Sequence, residues 1–334
     1  GNEEEILQHG GRNERKIRVF CRIRPVNRSE ATQGGAVVVD KLDDYSVTVE
    51  TPRGPREFQF DKVLGAEASQ EDLLMQSVID GYNVCIFAYG QTGSGKTFTM
   101  VGDKDQKNPG IMPRSFNAIF DIMRENSSKS DFKVSTYMLE LYNDRLQDLF
   151  VSQAGEAHAQ TQPHSPTRRV EIKRNRKGVV FAQGAETKDA SSAQELYALF
   201  QQACANRHIS ATMNVESSRS HLIVGIMVES KNLANGSVNT GKLSLVDLAG
   251  SERAAKTGAK DHQLKEANSI NKSLSALGDV ISALSAELPH VPYRNSKYAT
   301  RVKAITNNAQ RNVDSREVAQ LKEVIVKLKS GQTV

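Results

Sequence analysis

Apolar residues alternate with polar ones from Lys16 to Arg24, putting Ile17, Val19, Cys21 and Ile23 on one face and basic residues on the other. Such period-two spacing predicts a strand, and Pro25 stops it. The unbroken run Val84-Cys85-Ile86-Phe87-Ala88-Tyr89 has the length of a buried strand and enters a glycine-rich turn, so strand, loop and helix are expected there in that order. Further strands are expected at Lys133–Tyr142, His221–Glu229 and Lys242–Asp247, separated by helical stretches such as Ala193–Ala205. Together these elements predict one α/β domain whose mostly parallel central sheet carries helices on both faces. From Asn268 to Leu288, Ile270, Leu274, Leu277, Ile281, Leu284 and Leu288 recur at steps of four and three, the stripe of a long amphipathic helix. Residues 152–169, small, polar and broken by prolines, predict an exposed loop with two solvated histidines.

Composition narrows the class. A chain of 334 residues, 38% hydrophobic, is long enough for a large core, which argues against a disordered chain. Its 44 basic residues face 39 acidic ones, so a polyanionic partner must meet a local patch, and bulk charge does not choose between nucleic acid and an acidic protein surface. Cys21, Cys85 and Cys204 lack metal-ligand or redox spacing and are expected as core residues in a reducing compartment. With no apolar run long enough to cross a bilayer and no signal-peptide pattern, a cytosolic protein without membrane insertion is expected.

The chemistry concentrates in three segments. Gly90-Gln91-Thr92-Gly93-Ser94-Gly95-Lys96-Thr97 satisfies the P-loop pattern G-x-x-x-x-G-K-[ST] directly after a predicted strand. Its glycines let backbone N–H groups turn toward phosphates, Lys96 neutralises β/γ charge and the Thr97 hydroxyl suits Mg²⁺. Leu243-Ser244-Leu245-Val246-Asp247 supplies the acidic strand end that steadies such a cation, although an aspartate there, taken alone, more often caps a helix. In Leu248-Ala249-Gly250-Ser251-Glu252-Arg253, Gly250 could bring a backbone N–H to a γ-phosphate. The third segment, Asn214-Val215-Glu216-Ser217-Ser218-Arg219-Ser220-His221, is a polar stretch whose hydroxyls and arginine make sense near that phosphate. The guanine-reading pattern N-K-x-D is missing, because Asn271-Lys272-Ser273-Leu274 lacks the aspartate, so ATP is favoured over GTP.

These segments, F-A-Y-G-Q-T-G-S-G-K-T, N-x-x-S-S-R and D-L-A-G-S-E, resemble the P-loop, switch I and switch II of the kinesin motor family. The resemblance implies a P-loop NTPase of the kinesin motor fold, binding ATP or ADP with Mg²⁺ and working on microtubules of the cytoplasmic cytoskeleton. It implies that Arg219 pairs with Glu252 to close the site, that Ser218 joins Thr97 and Asp247 at Mg²⁺, and that Ser217 and Glu252 handle the attacking water beside Gly250. Arg22-Ile23-Arg24-Pro25 resembles the family's adenine-side R-x-R-P motif, with Arg22 and Pro25 above the base and Phe98 below it; Phe98 alone would default to core packing. Asn214 is carried over as a further nucleotide contact. Track-binding elements resemble Lys256–Lys265, the helix 268–288 and His290–Lys297, with Lys256, Lys260, Lys265, Arg294 and Lys297 as candidate cations toward tubulin's acidic surface. An ordinary solvated basic face would otherwise be about as good a reading. A non-motile microtubule anchor that binds nucleotide without productive hydrolysis is the alternative, and the intact Lys96, Thr97, Ser217, Ser218, Arg219, Asp247, Gly250 and Glu252 argue against it.

Three features set the expected domain plan of a neck segment at 1–15, a motor domain at 16–305 and a carboxy-terminal regulatory or neck-mimic helix at 306–334. Ile17–Pro25 looks like the minus-end-directed, carboxy-terminal-motor class (kinesin-14), although Gly10-Gly11 would weaken a neck helix. After Lys297 kinesins continue with a helix, a glycine-containing loop and a core strand; here Tyr298 follows at once, so the molecule is expected to hold residues there beyond this sequence, and an intact mass of 36.7 kDa would make the deletion real. Val318, Leu321, Ile325 and Leu328 form one apolar stripe after a capping-box pattern at Asp314–Glu317, and Arg316, Lys322, Lys327 and Lys329 make the helix basic. The stretch from Asn312 to Lys322 resembles the tail of plant-type calmodulin-binding kinesins, implying calmodulin or a related calcium sensor as partner; docking on the motor's own surface or a short coiled coil suits the stripe equally. A homodimer through regions outside this chain is expected, and nucleic acid is not.

Overall fold

The computed structural model describes residues 17–70, 83–103, 105–142, 145–151, 170–174, 180–210, 219–252 and 261–292. First come β1 (Phe20–Arg22), α1 (Arg28–Thr32), the antiparallel sheet of β2 (Val39–Lys41), β3 (Ser46–Val49) and β4 (Arg56–Gln59), and then β5 (Lys62–Leu64), which pairs in parallel with β1. β6 (Asn83–Ala88) leads through the glycine-rich loop into α2 (Lys96–Met100), followed by α3 (Ile111–Glu125), β7 (Ser130–Tyr142) and β8 (Arg145–Asp148). After the antiparallel pair β9 (Glu171–Arg174) and β10 (Val180–Gln183) come β11 (Lys188–Ala190), α4 (Ala193–Ser210), β12 (His221–Asn232), β13 (Val238–Asp247) and α5 (Asp261–Ser285).

The central sheet runs β11-β7-β12-β13-β6, with β8 beside β7. The α/β class holds, but the sheet is mixed rather than mostly parallel: β13 with β6 is the parallel pairing, and β11–β7, β7–β12, β12–β13 and β7–β8 are antiparallel. The cause lies in the turn between β12 and β13. Asn232 Oδ1 accepts from the N–H groups of Ala234 and Asn235, Gly236 takes φ 70°, and Asn232 N–H donates to Ser237 O at 2.8 Å, closing a hairpin too short for a parallel crossover.

Helices cover both faces as predicted. Alternate residues of β7, β12 and β13 point to opposite sides, so Met138, Val224 and Leu245 pack with Phe116 and Ile119 of α3 and Leu196 and Phe200 of α4. On the other side Leu139, Ile223 and Val246 meet Leu274, Leu277 and Val280 of α5. Each such fully buried side chain contributes roughly 1.5–3 kcal/mol. α5 begins before the predicted Asn268 and stops before Leu288. Its end is a left-handed cap: Glu287 has φ 50°, its N–H donates to Leu284 O, and Leu288 N–H reaches Ala283 O at 2.9 Å. Leu288 is therefore exposed rather than on the apolar stripe.

Two predicted strands are less buried than their sequences suggest. Among the described residues of the Lys16–Arg24 run, only Phe20–Arg22 have a strand partner, β5, and Val19 is exposed. β6 takes its parallel partner on one side alone among the described residues, and Val84, Cys85, Ile86 and Phe87 are half-buried, whereas the facing strand β13 buries Leu243, Leu245 and Val246. The three cysteines are free thiols, half-buried rather than deep in the core. The loop 152–169, the junction of Lys297 with Tyr298 and the helix expected over 306–334 lie outside the described residues. No described helix is long and apolar enough to cross a membrane.

Candidate nucleotide site

Parallel register carries the site. Pairing Asp247 with Ala88 sets the acidic end of β13 beside the start of the loop, and Leu248 N–H to Ala88 O (3.4 Å) and Ser251 N–H to Gly90 O (3.1 Å) continue the connection past the strand ends. Within the loop Gly93 and Gly95 take φ 81° and 91°, conformations a side chain would strain. A Cβ on Gly90 would meet Ser94 Oγ. Gln91 O accepts both from Ser94 N–H and from Lys96 Nζ at 2.9 Å, curling the loop over its own lysine.

Lys96, Thr97 and Asp247 come together as predicted. Thr97 Oγ1 donates to Asp247 Oδ2 at 2.7 Å, while Oδ1 of the same carboxylate is buried and has no hydrogen-bond partner. Burial pushes the Asp247 carboxyl up from its usual range, opposed by the Thr97 hydrogen bond and by the Arg207 and Lys96 charges. Burial likewise pulls Lys96 down, opposed by Asp247 and Glu252. Burial thus penalises the charged form of each group, a cost that an oppositely charged ligand relieves. An orphaned carboxylate oxygen beside a hydroxyl is a hard-oxygen donor set, so Thr97 and Asp247 fit a divalent cation such as Mg²⁺. The third expected ligand, Ser218, lies outside the described residues, as do Ser217 and Asn214.

Glu252 is held by the P-loop itself. Its carboxylate accepts from Thr92 N–H at 2.8 Å and from Thr92 Oγ1 at 2.6 Å, engaging one of the loop's own backbone donors. Burial pushes Glu252 up, yet these bonds and the Lys96 charge outweigh it and hold the carboxyl below its usual range. Both hydrogen bonds described for the Glu252 side chain go to Thr92. A Cβ on Gly250 would meet the Glu252 carboxylate and Thr92 Oγ1, so a larger residue would have to push those side chains aside.

The base side gathers Arg22 and Phe98. The Arg22 guanidinium lies over the Phe98 ring, 5.6 Å from its centroid, and donates to Thr99 Oγ1 (2.9 Å) and Gln70 Oε1 (2.5 Å); Gln70 in turn donates to Phe98 O. Arg22 and Phe98, the two residues expected at the base, therefore touch one another in this structure. Arg24 turns to Glu30, whose carboxylate completes the capping box of α1 with Asn27, and Pro25 is exposed.

Sequence reasoning missed three buried polar groups behind the site. Arg207 donates to Glu140 Oε1 at 3.2 Å and to both the carbonyl and the hydroxyl of Ser220. His221 Nδ1 accepts from Ala249 N–H at 3.0 Å, and its Nε2 lies 3.2 Å from Ser273 Oγ. A signal existed: Arg207 continues the buried stripe Leu196, Phe200, Ala203 of α4, and Glu140 falls on the same buried face of β7 as Met138. Among the candidate track-binding cations, Lys256, Lys260, Arg294 and Lys297 lie outside the described residues, and Lys265 is placed in α5 by its backbone alone.

The family profile described as "Kinesin motor domain" matches residues 22–308. Among curated proteins, "Kinesin-like protein KIN-14E" of Arabidopsis thaliana is 41% identical over 357 residues, covering 93% of this chain and 27% of that protein. "Kinesin-like protein KIN-14I" of Oryza sativa subsp. japonica is 40% identical, with the same shares covered. The chain thus spans about a quarter of the length of these relatives. The 357 residues of the first match exceed the chain's own 334, so that relative carries residues inside the matched stretch without counterpart here. A solved structure described as "Structure of a fast kinesin: Implications for ATPase mechanism and interactions with microtubules" superposes with a TM-score of 0.76 at 36% identity, over 86% of this chain and 81% of the other.

Proposed function

The chain belongs to the kinesin motor family, with plant kinesin-14 proteins among its relatives, and from that premise we propose that it is a microtubule-stimulated ATPase that moves along microtubules. The observation that carries this reading is the meeting of Thr97, Asp247 and buried Lys96 at the joined ends of β6 and β13. Lys96 and the inward N–H groups of the loop take the β/γ-phosphates of ATP. Thr97 and Asp247 would hold Mg²⁺, which would supply positive charge against the phosphates. Gly250 then offers its N–H toward the γ-phosphate. Glu252 exchanges Thr92 for Arg219, and with Ser217 it orders the attacking water. Ser218 joins the cation ligands, and Asn214, Arg22, Pro25 and Phe98 hold the rest of the nucleotide.

The decisive experiment is ATP turnover with and without microtubules, first at low and then at higher salt. Strong stimulation that weakens with salt is the expected result, since Lys256, Lys260, Lys265, Arg294 and Lys297 would meet an acidic track. Microtubule binding without turnover would replace the motor by an anchor, and neither activity would overturn the reading.

The finer assignments rest on the motifs already quoted. Movement toward the minus end follows from the likeness of Ile17–Pro25 to the carboxy-terminal-motor class, and gliding of polarity-marked microtubules in the opposite sense would overturn it. Residues 1–15 act as a neck, 16–305 as the motor and 306–334 as the segment that takes a calcium sensor. If calcium-loaded calmodulin leaves the microtubule affinity of a chain extended past Val334 unchanged, that regulation fails. The longer matched stretch in the relative supports residues between Lys297 and Tyr298 beyond this sequence, and an intact mass of 36.7 kDa would refute them.

A further inference from the structure

Three elements meet at one imidazole. His221 is the first residue of β12, directly after Ser220, whose carbonyl and hydroxyl are gripped by Arg207. It is 2% exposed. Its Nδ1 accepts from the N–H of Ala249, two residues past Asp247 and one before Gly250. On the other side of the ring, Nε2 lies 3.2 Å from Ser273 Oγ on α5.

The proton positions follow from the partners. A backbone N–H can only donate, so Nδ1 must carry a lone pair and the ring hydrogen sits on Nε2. Ser273 Oγ places its own hydrogen on Ile270 O at 2.6 Å, which leaves its lone pair facing Nε2–H. Donors therefore run one way, from Ala249 N–H through His221 and Ser273 to the carbonyl of Ile270, each bond polarising the next. Neither bond survives a shift of α5 along β12 without turning the ring. The turn it would disturb is closely packed, since a methyl group at Gly250 would meet the Thr92 and Glu252 side chains.

We propose that His221 is a positioning residue that couples the placement of α5 to the Ala249–Gly250 turn, so that a displacement of α5 at the track is read at the γ-phosphate side. The inference deepens the motor reading and rests on it. His221 touches no reacting atom; it acts through the amide it holds. Ser273 is the α5 end of the link, turned toward His221.

The test compares wild type with Ser273→Ala, Ser273→Thr and His221→Asn. The first removes the α5 end, and the second restores its hydroxyl. The third keeps an acceptor near the Nδ1 position for Ala249 but cannot reach Ser273. The readouts are basal turnover, KM for ATP, microtubule-stimulated kcat and the half-saturating microtubule concentration. Ser273→Ala and His221→Asn are expected to lower the stimulated kcat about fivefold, the factor carried by one buried hydrogen bond. Basal turnover, KM and half-saturation should stay within about twofold, and Ser273→Thr should recover the stimulated rate. A stimulated kcat unchanged in Ser273→Ala would overturn the coupling. So would a parallel fall of basal and stimulated rates, which marks a merely structural contact, or a failure of Ser273→Thr to rescue. Imidazole nitrogen shifts must also report the Nε2–H form, and an Nδ1–H ring would overturn the geometry. Wild-type turnover that microtubules do not stimulate removes the motor reading itself and the coupling with it, a result visible before any variant is made.

Discussion

On the phosphate side of the cleft Lys96 is 9% exposed and Asp247 1%, and their neighbours are tied by bonds that span 150 residues or more of sequence, Thr97 to Asp247 and Thr92 to Glu252. On the base side Phe98 is 41% exposed, and its partner Arg22 comes from a three-residue strand paired on one edge. Buried charges strain against desolvation until a ligand answers them, so the phosphate side gains most from phosphate and cation. The base side offers a stacking surface that water already wets. Binding energy that depends on charge therefore concentrates at one end of the nucleotide, where the reaction occurs, and the other end contributes affinity with little leverage on the chemistry.

The harshest break of that contrast is Lys96→Ala. Removing a preorganised charge from a dry site costs about 10²–10³-fold in turnover, while circular dichroism should show the fold intact. Steady-state ATPase kinetics at saturating ATP check it, and turnover within tenfold of wild type would refute the role given to this side. Next comes the support behind it. Arg207→Ala strands the Glu140 carboxylate among buried side chains, 7% and 9% exposed as the pair stands, and breaking such a pair costs about 3–5 kcal/mol. Urea unfolding of the two proteins measures the difference. Arg207→Met together with Glu140→Leu should recover most of the loss, since the penalty comes from the uncompensated charge.

The third prediction uses pH on the same wall. Burial, helped by the Arg207 and Lys96 charges, pushes His221 down to about 3, against about 6.5 in the unfolded chain. Between these values the unfolded state binds a proton that the folded state refuses, so stability rises with pH there and falls as the solution is acidified below about 6.5. The slope approaches about 1.4 kcal/mol per pH unit, giving about 2 kcal/mol between pH 6.5 and 5. His221→Asn should lose that share of the slope in denaturant titrations, and an unchanged slope would mean that His221 is protonated in the folded protein.

How much of this was legible follows from where each interaction lies along the chain. The P-loop and the D-L-A-G-S-E turn can be read directly because their functions need particular residues a few positions apart. Asp247 could be matched to Thr97 only because a parallel strand pair was inferred. Sheet direction could not be read: β12 and β13 are covered by helices on both faces, so their apolar runs mimic parallel strands although a hairpin joins them. Arg207 and Glu140 lie 67 residues apart, and neither local pattern names the other. Arg24 has a local partner instead: Glu30, six residues away, also completes the capping box of α1, while the Arg24 stem lies 3.5 Å from where a Cβ on loop residue Gly95 would sit.

The smallest effect belongs to the base side and sharpens the contrast. Phe98→Ala removes a half-exposed ring and the cation–π contact with Arg22, worth about 0.5–1 kcal/mol at an exposed site. KM for ATP should therefore rise about two- to fivefold while kcat stays within about twofold, because the lost contact serves ground state and transition state alike. Arg22 keeps its bonds to Thr99 and Gln70 in this variant, so the backbone at Phe98 stays anchored through Gln70. A fall in kcat comparable to that of Lys96→Ala would show that the ring steers the loop beside it. The two ends of the cleft would then be one mechanical unit.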